Sequence, residues 1–283
     1  METWKLKGGF ELPRVGLGLG SFGGGRTPDY SNDKSDVQVM KDAIAMGYTH
    51  LDTSELSGGG HTEELVAEAI KDLDRSKLII ATKVWETHLG YDDLISAAKN
   101  SIKRLGVSYI DLYYIHYPNP AVPLKETIRA MDKLVDDGLV KNIGVSNFTL
   151  DLLIEAQSFT KHKIVAAQIE FSLLTRETGK YGGNKNMASK TVPYCQENDM
   201  LIVAERPLER GLLLEPNAVM DELIKKYNKT QTQVAINWLI SQKNVVTIPM
   251  SHKIDHLKTN LGAAGWSMDA ADIKKLGEAY RWT

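Results

Sequence analysis

Thr49-His50-Leu51-Asp52, Leu78-Ile79-Ile80-Ala81-Thr82-Lys83 and Leu112-Tyr113-Tyr114-Ile115-His116 share one form: a short apolar run that stops on a polar or charged residue. The form returns at Asn142-Ile143-Gly144-Val145 before Ser146 and Asn147, and at Ile164-Val165-Ala166-Ala167 before Gln168. It returns again at Leu201-Ile202-Val203-Ala204 before Glu205, and at Val245-Val246-Thr247-Ile248 before Pro249, with Ser251 and Lys253 beyond. Runs that are apolar throughout suit strands covered on both faces, the setting of a parallel sheet. If all seven belong to one barrel, their end residues point into a single mouth, where such a barrel keeps its chemistry.

Helical periodicity fills the intervals. Ser35–Met46, Glu63–Leu73, Asp92–Leu105, Leu124–Leu134, Leu150–Ser158, Thr191–Gln196, Ala218–Tyr227 and Thr232–Ser241 each repeat apolar residues at helical spacing. The strand–helix order, repeated about eight times, predicts an α/β (βα)8 TIM barrel. A first barrel strand is expected near Val15–Leu17. Before it, Trp4-Lys5-Leu6-Lys7, Gly8-Gly9 and Phe10-Glu11-Leu12 predict a hairpin with a two-residue glycine turn, placed as a cap over the barrel bottom. Asp269–Tyr280 predicts a further helix. Three long loops, Gly18–Asp33, Glu55–Gly60 and Thr175–Ala188, follow strand positions and are expected at the mouth.

The 283 residues, 42% hydrophobic and 25% charged, have an ordinary globular composition, and residues 1–283 are expected to form a single barrel domain. Lys plus Arg number 34 against 36 Asp plus Glu, which gives no reason to expect nucleic acid as a partner. No apolar run approaches a membrane span, and METWKLKGGF lacks the apolar core of a secretory signal, so a cytoplasmic protein is expected. The single Cys195 has no internal partner and is expected to pack as a small apolar group. The histidines show no metal-ligand spacing, so no metal is expected.

Five separated motifs resemble those of the aldo-keto reductases, in order and along essentially the whole chain. They are His50-Leu51-Asp52-Thr53 with Gly58-Gly59-Gly60-His61-Thr62-Glu63-Glu64, Ala81-Thr82-Lys83-Val84, Asp111-Leu112-Tyr113-Tyr114-Ile115-His116, Gly144-Val145-Ser146-Asn147-Phe148, and Arg206-Pro207-Leu208-Glu209-Arg210-Gly211. The resemblance implies reduction of small aldehydes or ketones with NADPH, NAD being the alternative cofactor. It implies a catalytic tetrad of Asp, Tyr, Lys and His, of which Asp52, Lys83 and His116 match three. Ser146, Asn147 and Gln168 match residues that bond the nicotinamide carboxamide, and Gly20, Ser21 and Phe22 match the segment beside its ribose. Leu208–Leu212, with Leu208, Arg210 and Gly211, match the loop that wraps the pyrophosphate, and Arg206 beside it is a further cofactor-binding candidate. Ser251, Lys253, His256 and Asn260 match the adenosine end, where Ser251 and Lys253 would hold a 2′-phosphate. Trp85 and His88 are expected in the substrate wall.

Two positions depart from the pattern. The tetrad tyrosine is Ser57, and the tyrosine that stacks on nicotinamide is Glu205. Hydride attack builds negative charge on the carbonyl oxygen, which must receive a proton, and a serine is a far weaker acid than a phenol beside an ammonium. The expectation is a reductase scaffold, impaired or repurposed, whether by nature or by engineering. The alternatives are a dinucleotide-binding protein without turnover, and a pocket using Glu205 as general base for a non-redox reaction. A monomer or small homo-oligomer is expected.

Overall fold

A computed structural model describes residues 2–179 and 185–280. Among the described residues ten strands and ten α-helices follow in the order β1 (Thr3–Lys5), β2 (Glu11–Pro13), β3 (Leu17–Gly18), α1 (Asp33–Ala45), β4 (His50–Asp52), α2 (His61–Ile70), β5 (Ile79–Val84), α3 (Tyr91–Leu105), β6 (Ile110–Ile115), α4 (Leu124–Asp136), β7 (Val140–Ser146), α5 (Leu150–Phe159), β8 (Ile164–Glu170), α6 (Val192–Glu197), β9 (Leu201–Glu205), α7 (Ala218–Tyr227), α8 (Gln231–Ile240), β10 (Val245–Thr247), α9 (Ile254–Leu261) and α10 (Ala270–Ala279). Strands β3 to β10 form one eight-stranded sheet in strict chain order. Each expected helix is present within a few residues of its predicted ends. Helix α9 is not among the expected elements: Ile254, Leu257 and Leu261 do repeat at helical spacing, but over only eight residues, shorter than the window in which that period is read.

The chain divides into two compact units. One holds residues 17–167. In it β4 pairs parallel with β3 and β5, β6 with β5 and β7, and the in-strand contacts Thr82↔Tyr113 and Lys83↔Tyr114 set the register. Tyr113, Tyr114, Leu51, Ile80 and Leu112 are wholly buried, as strands covered on both faces require. Helices α3 and α4 present Leu94, Ala98, Leu105, Ile128, Met131 and Leu134 to this core. The expected first strand is shorter than predicted: β3 covers Leu17–Gly18 only.

The other unit holds residues 1–16 and 168–283. Here Val15 bridges Thr247 in parallel, and the Arg14 guanidinium donates to the Ile240 carbonyl at 2.8 Å. The hairpin β1–β2 is present, but its turn differs from the two-residue one expected. Lys5 pairs with Glu11, Leu6 N–H reaches Phe10 O at 2.8 Å, and Gly9 N–H closes on Leu6 O at 2.9 Å. That is a three-residue loop with Gly9 left-handed (φ 93°). Cys195 is fully buried, as expected. The loop Thr175–Ala188 lies partly outside the described residues. No helix among the described residues is long and apolar enough to cross a membrane.

Candidate active site

Alternation along β4 puts His50 and Asp52 on one face, and β5 carries Lys83 on the face it shares with Ala81. The Lys83 ammonium donates to Asp52 Oδ1 and, at 2.7 Å, to the Thr53 carbonyl. Asp52 and Lys83 are 3% and 5% exposed, so this is a buried ion pair, hydrogen-bonded on the lysine side to backbone as well. A pair in that setting holds because each charge compensates the other. His50 is completely buried, with Nε2 4.0 Å from Asp52 Oδ2 and neither ring nitrogen hydrogen-bonded.

His116 follows β6 directly. Its N–H donates to Val84 O at 3.0 Å and its carbonyl accepts from Asn147 Nδ2 at 3.0 Å, so the ends of β5, β6 and β7 meet at its backbone. The ring lies edge-on to Trp85 at 5.3 Å and 5.3 Å from Tyr117. Its Nδ1 is sealed and without a partner, while the ring as a whole is partly open, which leaves Nε2 as the nitrogen available to a ligand. Burial, helped by the Lys83 ammonium, pushes the imidazole down to about 3, so it is neutral at pH 7.

Lys83 is thus bonded to Asp52 and close enough to His116 for its charge to act on the imidazole. Ser57 follows Asp52 by five residues, and its side chain is committed elsewhere. Its hydroxyl pairs with Ser54 Oγ at 2.8 Å, inside a turn closed by Ser57 N–H on Ser54 O at 3.1 Å. It makes no bond to Lys83 or His116. Gly58, Gly59 and Gly60 come next, all left-handed at φ 57°, 59° and 98°. Trp85 forms the wall against His116. His88 instead turns its Nδ1 to Glu55 at 2.9 Å.

The cofactor candidates can be placed unit by unit. In residues 17–167, Gly20 and Ser21 are exposed, Phe22 is buried with its carbonyl held by Thr62, and Ser146 and Asn147 are buried at the end of β7. Asn147 takes φ 59° and bonds Ser146 Oγ at 3.1 Å. In the other unit Gln168 is buried at 1% exposure on β8, and Glu205 ends β9 half-buried. Arg206 pairs with Glu170 at 2.8 Å. Arg206, Glu209, Arg210 and Gly211 all have positive φ, Arg210 is exposed, and Leu208 is half-buried. Ser251 Oγ accepts from Lys253 N at 3.1 Å, His256 is exposed on α9, and Asn260 is buried there. Taken unit by unit, Ser146 and Asn147 offer a hydroxyl and an amide, and Gln168, Arg210, Ser251 and Lys253 offer amide, cationic and hydroxyl donors, the kinds of group that carboxamides and phosphates accept from.

Glu55 is a site residue that sequence reading passed over. It is 9% exposed, and its Oε1 accepts from the Trp85 N–H at 2.6 Å as well as from His88. Only its position between Asp52 and Ser57 hints at this. Glu63, within the Thr-Glu-Glu motif, is wholly buried and bonded to Arg104 at 2.7 Å and Thr82 at 2.6 Å, tying α2 to α3 and β5.

The aldo/keto reductase family profile matches residues 14–281, and the chain belongs to that family. It is 32% identical to the glyoxal reductase of Bacillus subtilis, over 97% of this chain and 91% of that protein. A thermostable aldo-keto reductase, Tm1743, solved with the inhibitor epalrestat, superposes with a TM-score of 0.93 at 42% identity, covering 99% of this chain and all of the other. An aldo/keto reductase from Klebsiella pneumoniae, solved with NADP and acetate, superposes at 0.84 with 25% identity over 98% and 94% of the two chains. The protein is an oxidoreductase of this family on the (βα)8 fold, a scaffold for an NAD(P)-type cofactor.

Proposed function

We propose that this chain binds NADPH and reduces small aldehydes or ketones slowly, because its tetrad lacks the proton donor. The observation that carries the reading is the buried Asp52–Lys83 pair beside a neutral His116. When bound, the nicotinamide supplies the hydride. His116 Nε2–H orients the carbonyl oxygen, and the Lys83 ammonium stabilises the negative charge that develops there. Asp52 holds that ammonium in place. Ser57 supplies no proton, since its hydroxyl is short, weakly acidic and engaged by Ser54, so water must protonate the product. Loss of general acid catalysis is worth roughly 10²–10⁴-fold in rate. In this reading, residues 1–283 act as one barrel domain. Ser146, Asn147 and Gln168 hold the carboxamide, and Gly20, Ser21 and Phe22 flank the ribose. Arg206, Leu208, Arg210 and Gly211 hold the pyrophosphate, with Ser251, Lys253, His256 and Asn260 at the adenosine. Glu205 lies by the ring.

The test is NADPH-dependent reduction of a reactive aldehyde by the native chain and by Ser57→Tyr. A gain of about a hundredfold or more, on the scale of a restored general acid, supports the reading. No gain with NADPH still bound turns the assignment to a second reading, a dinucleotide-binding protein without turnover, which the Ser54–Ser57 bond favours. Cofactor-free chemistry that is lost in Glu205→Gln would replace both with a carboxylate-catalysed reaction.

A further inference from the structure

The loop between β3 and α1 carries one arginine. Arg26 is exposed, and its guanidinium carbon lies 5.6 Å from the centroid of the Trp85 ring. Among the described residues it forms no ion pair and no side-chain hydrogen bond. The nearest acidic groups along this loop and the next are engaged with other partners. Asp29 accepts from Ser31, Asp33 pairs with His61, and Glu55 receives the Trp85 N–H and His88.

The loop is anchored rather than loose. Gly58 N–H donates to Gly25 O at 2.7 Å, Gly23 N–H to Asp36 at 2.9 Å, and Thr62 to Phe22 O at 2.5 Å. Arg26 thus sits at a fixed place, one residue beyond the carbonyl that holds the Ser57–Gly60 turn. The same Trp85 ring stands edge-on to His116 at 5.3 Å and to Tyr117 at 5.5 Å. One indole is therefore the neighbour both of a cation without a counter-charge and of the His116 imidazole. Lys83 is the other cation here, and Asp52 neutralises it.

We propose that Arg26 is a specificity-determining residue that receives the carboxylate of a substrate whose aldehyde group lies at His116. The substrate class is aldehydes bearing a carboxylate at the far end of an aromatic or short carbon skeleton. This rests on the reductase reading above. A guanidinium fork matches a carboxylate with two parallel hydrogen bonds, and the indole offers an apolar face to the skeleton between the two ends. One unneutralised cation suits a monoanion, whereas a phosphate dianion would need a second.

The test compares para-carboxybenzaldehyde with its methyl ester, which keeps the shape and removes the charge. Equilibrium affinities come from ligand-observed NMR titration, with NADP present and absent, and NADPH-dependent reduction is followed in parallel. The native chain should bind the carboxylate about fivefold more tightly than the ester, the scale of an exposed ion pair. Arg26→Ala should abolish that difference and leave the ester unchanged, and 0.5 M KCl should shrink it through screening. Equal affinities in the native chain, or a preference that survives Arg26→Ala, would overturn the proposal. Failure to reduce either aldehyde, even with Ser57→Tyr, while the charge preference persists, would overturn the reductase reading and leave the anion site standing.

Discussion

His50 Nε2 stands 4.0 Å from Asp52 Oδ2, with both groups shut away from solvent and the imidazole making no hydrogen bond. Burial pushes His50 down from 6.5 to about 4, against the pull of Asp52 and with the push of Lys83. His50 and His116 are both neutral in the folded chain at pH 7, whereas in the unfolded chain they titrate near 6.5. Between those values the unfolded state takes up protons that the native state does not. The stability from both groups is therefore complete above pH 6.5 and drains as pH falls toward 4 and then 3. For His50 the loss is on the order of 3 kcal/mol. Denaturant midpoints from pH 7 to 4.5 should fall steeply in the native chain and less so in His50→Gln. Identical slopes would show that His50 is not the group responsible.

The Asp52–Lys83 pair should behave as a unit. Asp52→Asn leaves a buried ammonium without its counter-charge and should cost about 3–5 kcal/mol. The double variant Asp52→Asn, Lys83→Met removes both charges and should be more stable than the single one. Chemical denaturation of the two singles and the double reads the coupling directly. Simple additivity would mean that the ions do not depend on each other.

Glu55 should act on activity through Trp85. Removing its carboxylate in Glu55→Ala frees the Trp85 N–H and His88, and with them the wall against His116. In a Ser57→Tyr background, KM for benzaldehyde should rise by roughly tenfold, the worth of one charge-assisted bond, with kcat changed little. Glu55→Gln, which keeps an acceptor for the backbone N–H, should recover part of that rise. An effect confined to kcat would assign Glu55 to the chemistry instead.

Gly144 has no room for a side chain, because a Cβ there would lie 2.4 Å from the Tyr114 ring. Tyr114 in turn lies under the Lys83 ammonium, 5.7 Å from ring centroid to Nζ. Gly144→Ala should therefore destabilise by about 1–3 kcal/mol, as overpacking does, and weaken turnover by moving the ring below the lysine. A melting temperature equal to the native one would show that the ring yields without strain.

The parts of this fold that are legible in the sequence are those set by local repetition. Apolar runs ending at Asp52, Lys83 and His116 are strands because nothing else covers such runs on both faces, and their ends meet because the strands are parallel and adjacent. The serine at position 57 is visible too, but its orientation is not. Whether that hydroxyl turns to Lys83 or to Ser54 depends on a turn of a few residues, closed by backbone bonds that leave no pattern in composition. Arg206, Glu209 and Arg210 adopt left-handed backbone without being glycine, asparagine or aspartate, so nothing in their side chains announces it. Arg26 and Glu55 sit in loops, where contacts come from far along the chain and periodicity says nothing.

The turn after Ser57 takes its shape from its own backbone: three left-handed glycines and the Gly58–Gly25 bond. Residue 57 is thus carried on a frame set by backbone, to which its own side chain adds one hydroxyl bond, to Ser54. An exchange at position 57 therefore forfeits that one bond, while the glycine backbone still sets the course of the chain.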